Sequence, residues 1–115
     1  MLKKFKIKIK ETFFRHMDDY DITMQELKQK QAQGAVVVDV RNNREFLEGH
    51  IKGSINIPEY EINRKFQMSV PNKNEIIILY CTSGKRSKSA LKKINKMGYL
   101  NVYNLYGGLD LYYNF

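Results

Sequence analysis

Residues 76–87 read Ile76-Ile77-Ile78-Leu79-Tyr80-Cys81-Thr82-Ser83-Gly84-Lys85-Arg86-Ser87. The apolar run 76–80, β-branched at its start and without polar alternation, predicts a strand buried on both faces. It delivers a thiol into a short loop of small and basic residues. A segment of helical pattern follows at once, from Ser87 to Met97. Ala90, Leu91, Ile94 and Met97 fall on its inner face, and Gly98 is its stop.

Working outward, Ala35-Val36-Val37-Val38-Asp39-Val40 is a second β-branched run of the same kind. Gly53-Ser54-Ile55-Asn56-Ile57-Pro58 predicts a short strand ended by proline. Asn101 to Leu105 predicts a further strand, broken by Gly107-Gly108 before an aromatic tail. Helical segments lie between. Thr23 with Glu26 three residues later forms a capping box, Met24, Leu27 and Ala32 mark one face, and Gly34 ends the helix. Asn42 or Asn43 can cap a helix carrying Phe46 and Leu47, stopped near Gly49. Glu59 to Phe66 is weakly helical, and Pro71 to Asn74 is a turn. Asp18-Asp19-Tyr20-Asp21 reads as a polar break before the first ordered element. Strands alternating with helices imply an α/β fold, a mostly parallel central sheet with helices on both faces. Right-handed crossovers place the loops that leave strand C-termini on one edge, where ligands of such sheets bind. Asp39 and Cys81 both belong there.

The 115 residues predict a basic N-terminal extension over 1–20 and one domain over 21–115. The net charge is +8 and the pI about 9.6. A nucleic-acid partner is not expected, because no basic cluster carries interleaved aromatics for stacking on bases. The extension has no signal-peptide pattern, since lysines interrupt each apolar stretch, and no transmembrane segment is expected. Lys4 to Lys10 alternates like a strand and Phe5, Ile9 and Phe13 fit a basic amphipathic helix, but an extension that packs on the domain or frays is favoured over a surface-bound helix. A single cysteine excludes an internal disulfide and a cysteine-cluster zinc site, and suits a reducing, cytoplasmic setting. No second histidine stands at ligand spacing from His50, so neither metal nor cofactor is expected.

The loop carries the chemistry. The thiolate is the reactive form of cysteine, and cations and helix N-termini favour it. Lys85 and Arg86 supply cations, and Ser87 opens a helix whose first amides are unpaired. Gly84 with the small Thr82 and Ser83 lets successive N–H groups turn inward as an anion nest. Arg86 offers a planar fork for an oxyanion, and Lys85 a mobile charge at the rim. A cysteine at a strand end can also be a plain buried side chain. The Gly-Lys-Arg-Ser context favours the reactive reading.

This loop resembles the active-site loop of rhodanese-like sulfurtransferases: a Cys, four residues and an Arg at a strand–loop–helix junction. Asp39-Val40-Arg41, Glu45-Phe46, Gly49-His50-Ile51 and Gly53 to Pro58 resemble that family's first signature, and Gly107-Gly108 its closing one. The likeness runs from Ile22 to Tyr112, with Tyr112 standing where members often carry Trp. It implies a single-domain enzyme that moves a sulfane sulfur through a Cys81 persulfide. Thr82, Ser83, Gly84, Lys85, Arg86 and Ser87 would hold the persulfide and a small anionic donor such as thiosulfate. Cyanide, a thiol or a protein acceptor such as a thioredoxin-like one would take the sulfur. Asp39 and Arg41 would form a supporting network, with Arg41 near Glu45, and His50 would stand outside the chemistry. A persulfide carrier serving a protein partner would share this chemistry. A phosphatase or arsenate reductase of the related fold has a loop one residue longer, and a noncatalytic module typically loses the cysteine or the basic loop.

Overall fold

The computed structural model describes residues 16–112; the readings of Lys4 to Lys10 and of Phe5, Ile9 and Phe13 lie outside them. The two β-branched runs become the neighbouring strands β2 (Val36–Asp39) and β4 (Ile77–Tyr80), both inside the sheet. β1 (Asp21–Ile22), β3 (Ile55–Asn56) and β5 (Val102–Leu105) complete a five-stranded sheet of order β1-β5-β4-β2-β3. Every pairing is parallel. The helices are α1 (Met24–Ala32), α2 (Asn43–Glu48), α3 (Ile62–Ser69) and α4 (Lys85–Lys96).

The missing polar alternation in β2 and β4 has a direct cause: both faces of the sheet are covered. Val38, Ile77, Leu79 and Cys81 pack with Phe66 of α3, Ala90, Leu91 and Ile94 of α4, and Tyr99. Val37, Ile78, Tyr80 and Leu105 pack with Leu27 of α1, Ile51 and Leu109. Ile77, Ile78 and Leu79 have no exposed surface. Burying each such side chain contributes about 1.5–3 kcal/mol. The register sets Asp39 opposite Tyr80, so the chain leaves β2 and β4 at the same level, and Arg41 and Cys81 emerge at one edge.

Several boundaries differ from expectation. Asp21 is not in a polar break but buried in β1. Its carboxylate accepts from Asn104 Nδ2 at 2.8 Å and from the Asp18 amide at 2.8 Å. Two hydrogen-bonded partners offset the cost of burying that charge. The strand expected over 53–58 shortens to two residues, because Asn56 turns its amide onto the carbonyls of Asp39 and Arg41. A 3₁₀ turn, Glu59–Glu61, precedes α3. α4 opens at Lys85 with Gly84 as N-cap, two residues before Ser87. Both helix-start readings hold: Thr23 and Glu26 form a capping box, and Asn42 caps α2 reciprocally with Glu45.

Candidate active site

β4 ends at Tyr80, and Cys81 follows it, fully buried. Its sulfur accepts the Gly84 amide at 3.0 Å and the Ser87 amide at 3.4 Å. Ser87 Oγ lies 3.3 Å from Sγ and donates to the Gly84 carbonyl at 3.1 Å. A hydroxyl has one proton. In the thiol form the S–H donates to Ser87 Oγ, and in the thiolate form the hydroxyl can turn to the sulfur. Gly84 makes this turn possible with φ of +102°, a conformation that disfavours any Cβ. The first amides of α4 add the positive end of the helix dipole.

Arg86 does not present a bare fork. Its guanidinium meets Glu45 at 2.6 and 3.0 Å and Thr82 Oγ1 at 3.2 Å. Thr82 Oγ1 also donates to Glu45 at 3.3 Å. Glu45 is thus a clamp between α2 and the loop. The hydrogen bonds from Arg86 hold its carboxyl down at about 2. Lys85 is exposed at the start of α4, with no ion-pair partner among the described residues. Ser83 is exposed as well.

Asp39 and Arg41 form a buried pair one loop away. Asp39 accepts the Arg41 amide at 2.9 Å, Nε at 3.1 Å and a terminal guanidinium nitrogen at 2.8 Å. Arg41 also donates to the Gly49 carbonyl. No hydrogen bond joins either residue to Cys81. They stiffen the α2 segment that carries Glu45. Beneath them the Tyr80 hydroxyl accepts the Ile51 amide and bonds Ser54 Oγ, both at 3.0 Å, and burial pushes its phenol pKa up. His50 stacks on Phe46 at 3.7 Å and bonds its carbonyl through Nδ1. Among the described residues no cluster of His, Cys, Asp and Glu is arranged to hold a metal ion, and no helix is long and apolar enough to cross a membrane.

Two contributors lie outside the sequence-derived site. Glu45 is one, though it was visible as a carboxylate in the α2 motif. The other is Gly108, read as a strand breaker and as part of the closing signature but given no role at the loop. A Cβ there would stand 2.4 Å from the Thr82 carbonyl oxygen and 2.6 Å from that of Cys81. That close approach lets the Leu109 and Asp110 amides bond the Cys81 and Thr82 carbonyls at 3.0 and 2.9 Å. The loop is therefore held from both flanks. Beside it lies a cleft of about 400 Å³ lined by Ser83, Gly84, Lys85, Lys88, Tyr106, Gly107 and Leu111.

Residues 23–114 match the family model of the rhodanese-like domain. The thiosulfate sulfurtransferase PspE of Escherichia coli strain K12 is 35% identical over 74 residues, 64% of this chain and 71% of that one. A tRNA uridine(34) hydroxylase of Erwinia tasmaniensis is 35% identical over 82 residues, 68% of this chain but 23% of that longer one. Among solved structures, the human single-domain sulfurtransferase TSTD1 superposes with a TM-score of 0.69 at 27% identity, covering 79% of this chain and 92% of that one.

Proposed function

The chain belongs to the rhodanese-like domain family, and from that premise we propose that it is a sulfurtransferase acting through a persulfide on Cys81. The Cys81 thiolate attacks the sulfane sulfur of a donor such as thiosulfate. The donor S–S bond breaks, sulfite leaves with the bonding electron pair, and Cys81 carries the outer sulfur. A thiophilic acceptor, cyanide or a thiolate, then attacks that sulfur. The Cys81 S–S bond breaks and the enzyme thiolate returns.

The observation that carries this reading is the cradle around Sγ, in which the Gly84 and Ser87 amides point at the sulfur from 3.0 and 3.4 Å. Fixed donors of this kind stabilise negative charge on sulfur without reorganising. Four residues separate Cys81 from Arg86, which makes a cradle for one sulfur and leaves little room for a tetrahedral oxyanion. In this reading Arg86 holds the loop through Glu45, and Lys85 draws the anionic donor to the rim. A reducing, cytoplasmic setting suits the lone thiol.

Intact mass after thiosulfate exposure tests the reading. The expected result is a gain of one sulfur, removed by dithiothreitol and absent from Cys81→Ala. Cys81→Ser is expected to abolish thiosulfate:cyanide transfer. Full transfer by that variant would sink the mechanism, and aryl-phosphate hydrolysis at a matching rate would replace it with phosphatase chemistry.

A further inference from the structure

We propose that the outward face of α4 docks a helix of a protein partner, one that carries a stripe of carboxylates. Between Lys85 and Lys96, α4 holds six cations and no carboxylate. Its inward face, Ser87, Ala90, Leu91 and Ile94, is buried on the sheet. At about 3.6 residues per turn the opposite face carries Lys85, Ser89, Lys92 and Lys96. All four are exposed.

The cations divide by position. Those on the flanks of the helix meet carboxylates of the domain. Arg86 pairs with Glu45 and Lys93 with Glu59, each at 2.6 Å, and Lys88 lies 3.9 Å from Asp18. Lys85, Lys92 and Lys96 on the outward face have no ion pair among the described residues. Exposed cations of the neighbouring helices do: Arg44 pairs with Glu48 on α2, and Arg64 and Lys65 pair with Glu61 just before α3. On α4, Lys88, Lys92 and Lys96 instead follow one another at four-residue steps, where like charges repel. The helix also opens with Lys85 and Arg86, at the positive end of its own dipole. Carboxylates from outside would relieve both.

The surroundings narrow the occupant. Lys85 to Lys92 spans about 10 Å along the axis and Lys92 to Lys96 about 6 Å. Carboxylates seven and four residues apart on one face of a second helix match that spacing. Lysine suits the task, as a mobile point charge on a flexible stem. The outward face offers no aromatic ring on which a base could stack and no apolar side chain to enter a bilayer surface. Glu59 borders it on one side and Asp18 on the other. A polyphosphate chain laid across the helix meets both carboxylates, whereas a narrow acidic helix laid along it meets neither. The face begins at Lys85, four residues after Cys81, so a partner seated on it has one end at the Cys81 loop.

The test titrates the full chain with Ala-rich helical peptides of about 20 residues, long enough to hold a helix in water. One carries its Glu residues on a single face. A second has the same composition with Glu spread around the helix. Amide shifts in NMR spectra at low ionic strength read both affinity and place. The one-faced peptide is expected to bind about threefold or more tighter than the spread one, to shift the amides of α4 most, and to weaken as salt is added. Lys92→Gln combined with Lys96→Gln should weaken it about fivefold, as the loss of two exposed ion pairs allows. Lys28→Gln combined with Lys52→Gln removes the same charge from exposed positions elsewhere and should weaken it less than about twofold. Circular dichroism spectra of both double variants should match that of the unmodified chain. Equal binding of the two peptides, or equal losses in the two double variants, would overturn the inference. So would tighter binding of a decauridylate or of phosphatidylglycerol vesicles that the α4 variant alone loses, which would assign the face to nucleic acid or to a membrane. The readout is binding, so a failure of the sulfurtransferase reading leaves this inference standing.

Discussion

Replacing Glu45 by Gln is expected to loosen the Cys81 loop, and the geometry sets the cost. Glu45 takes both arms of Arg86 and the Thr82 hydroxyl, and its side chain is 28% exposed against 41% for Arg86. Holding its carboxyl at about 2 instead of 4.5 corresponds to about 3 kcal/mol of favourable interaction. Solvent screening of a partly exposed pair reduces the net to about 1–2 kcal/mol. The sign follows from the direction of the shift. A depressed carboxyl stabilises the fold above its ordinary pKa, and that contribution disappears as pH falls from 4.5 through 2. Glu45→Gln should therefore lower stability at pH 7 by about 1–2 kcal/mol, and the gap to the unmodified chain should narrow below pH 4.5 and close only near pH 2. Urea unfolding at both pH values reads this. A cycle with Arg86→Gln should show coupling of about 1 kcal/mol or more. Thiosulfate:cyanide transfer should fall about ten- to a hundredfold, because small misplacements of a catalytic loop are costly. If the two substitutions add within about 0.5 kcal/mol and Glu45→Gln transfers sulfur at the full rate, the clamp argument is wrong.

Two further substitutions probe the supports of the loop. Gly108→Ala places a Cβ 2.4 Å from the Thr82 carbonyl oxygen at φ +63° and ψ −163°, a region essentially confined to glycine. It should cost about 2–4 kcal/mol, seen as a Tm lower by about 10 °C or more in a circular dichroism melt, with transfer largely lost; an unchanged melt would show that the closing turn is not tight. Tyr80→Phe removes the hydroxyl that meets the Ile51 amide and Ser54 in the core. The buried amide left without its partner should cost about 1–3 kcal/mol in urea unfolding, with transfer at 25 °C retained. A neutral substitution would mean that water or Ser54 replaces the hydroxyl.

The legible parts of this fold were those whose signal is local. β2 and β4 lie between two covered faces, so their sequences carry no polar alternation and stand out as runs. β1 and β3 are two residues each at the sheet edges. Strands that short have no period to read: β3 was announced by its flanking Gly53 and Pro58 but at too great a length, β1 was not announced, and what defines both, the Asp21–Asn104 bond and the turned Asn56 amide, joins residues distant in sequence. The site divides the same way. Cys81, Gly84 and Ser87 lie within seven consecutive residues, so their convergence was readable, although the helix starts at Lys85 and leaves Ser87 inside it. Glu45 lies 41 residues from Arg86, and an ion pair at that separation leaves no periodic trace.

The burial of Cys81 and the absence of a second cysteine combine into one constraint. The sulfur has no exposed surface, so a bulky acceptor cannot reach Sγ itself. The outer sulfur of a persulfide stands about 2 Å farther out, and attack there needs only access to the rim. With one cysteine in the chain, no internal thiol can discharge the persulfide as a disulfide. In the proposed mechanism the cradle that holds the inner sulfur would also protect it, and discharge would fall to an external acceptor.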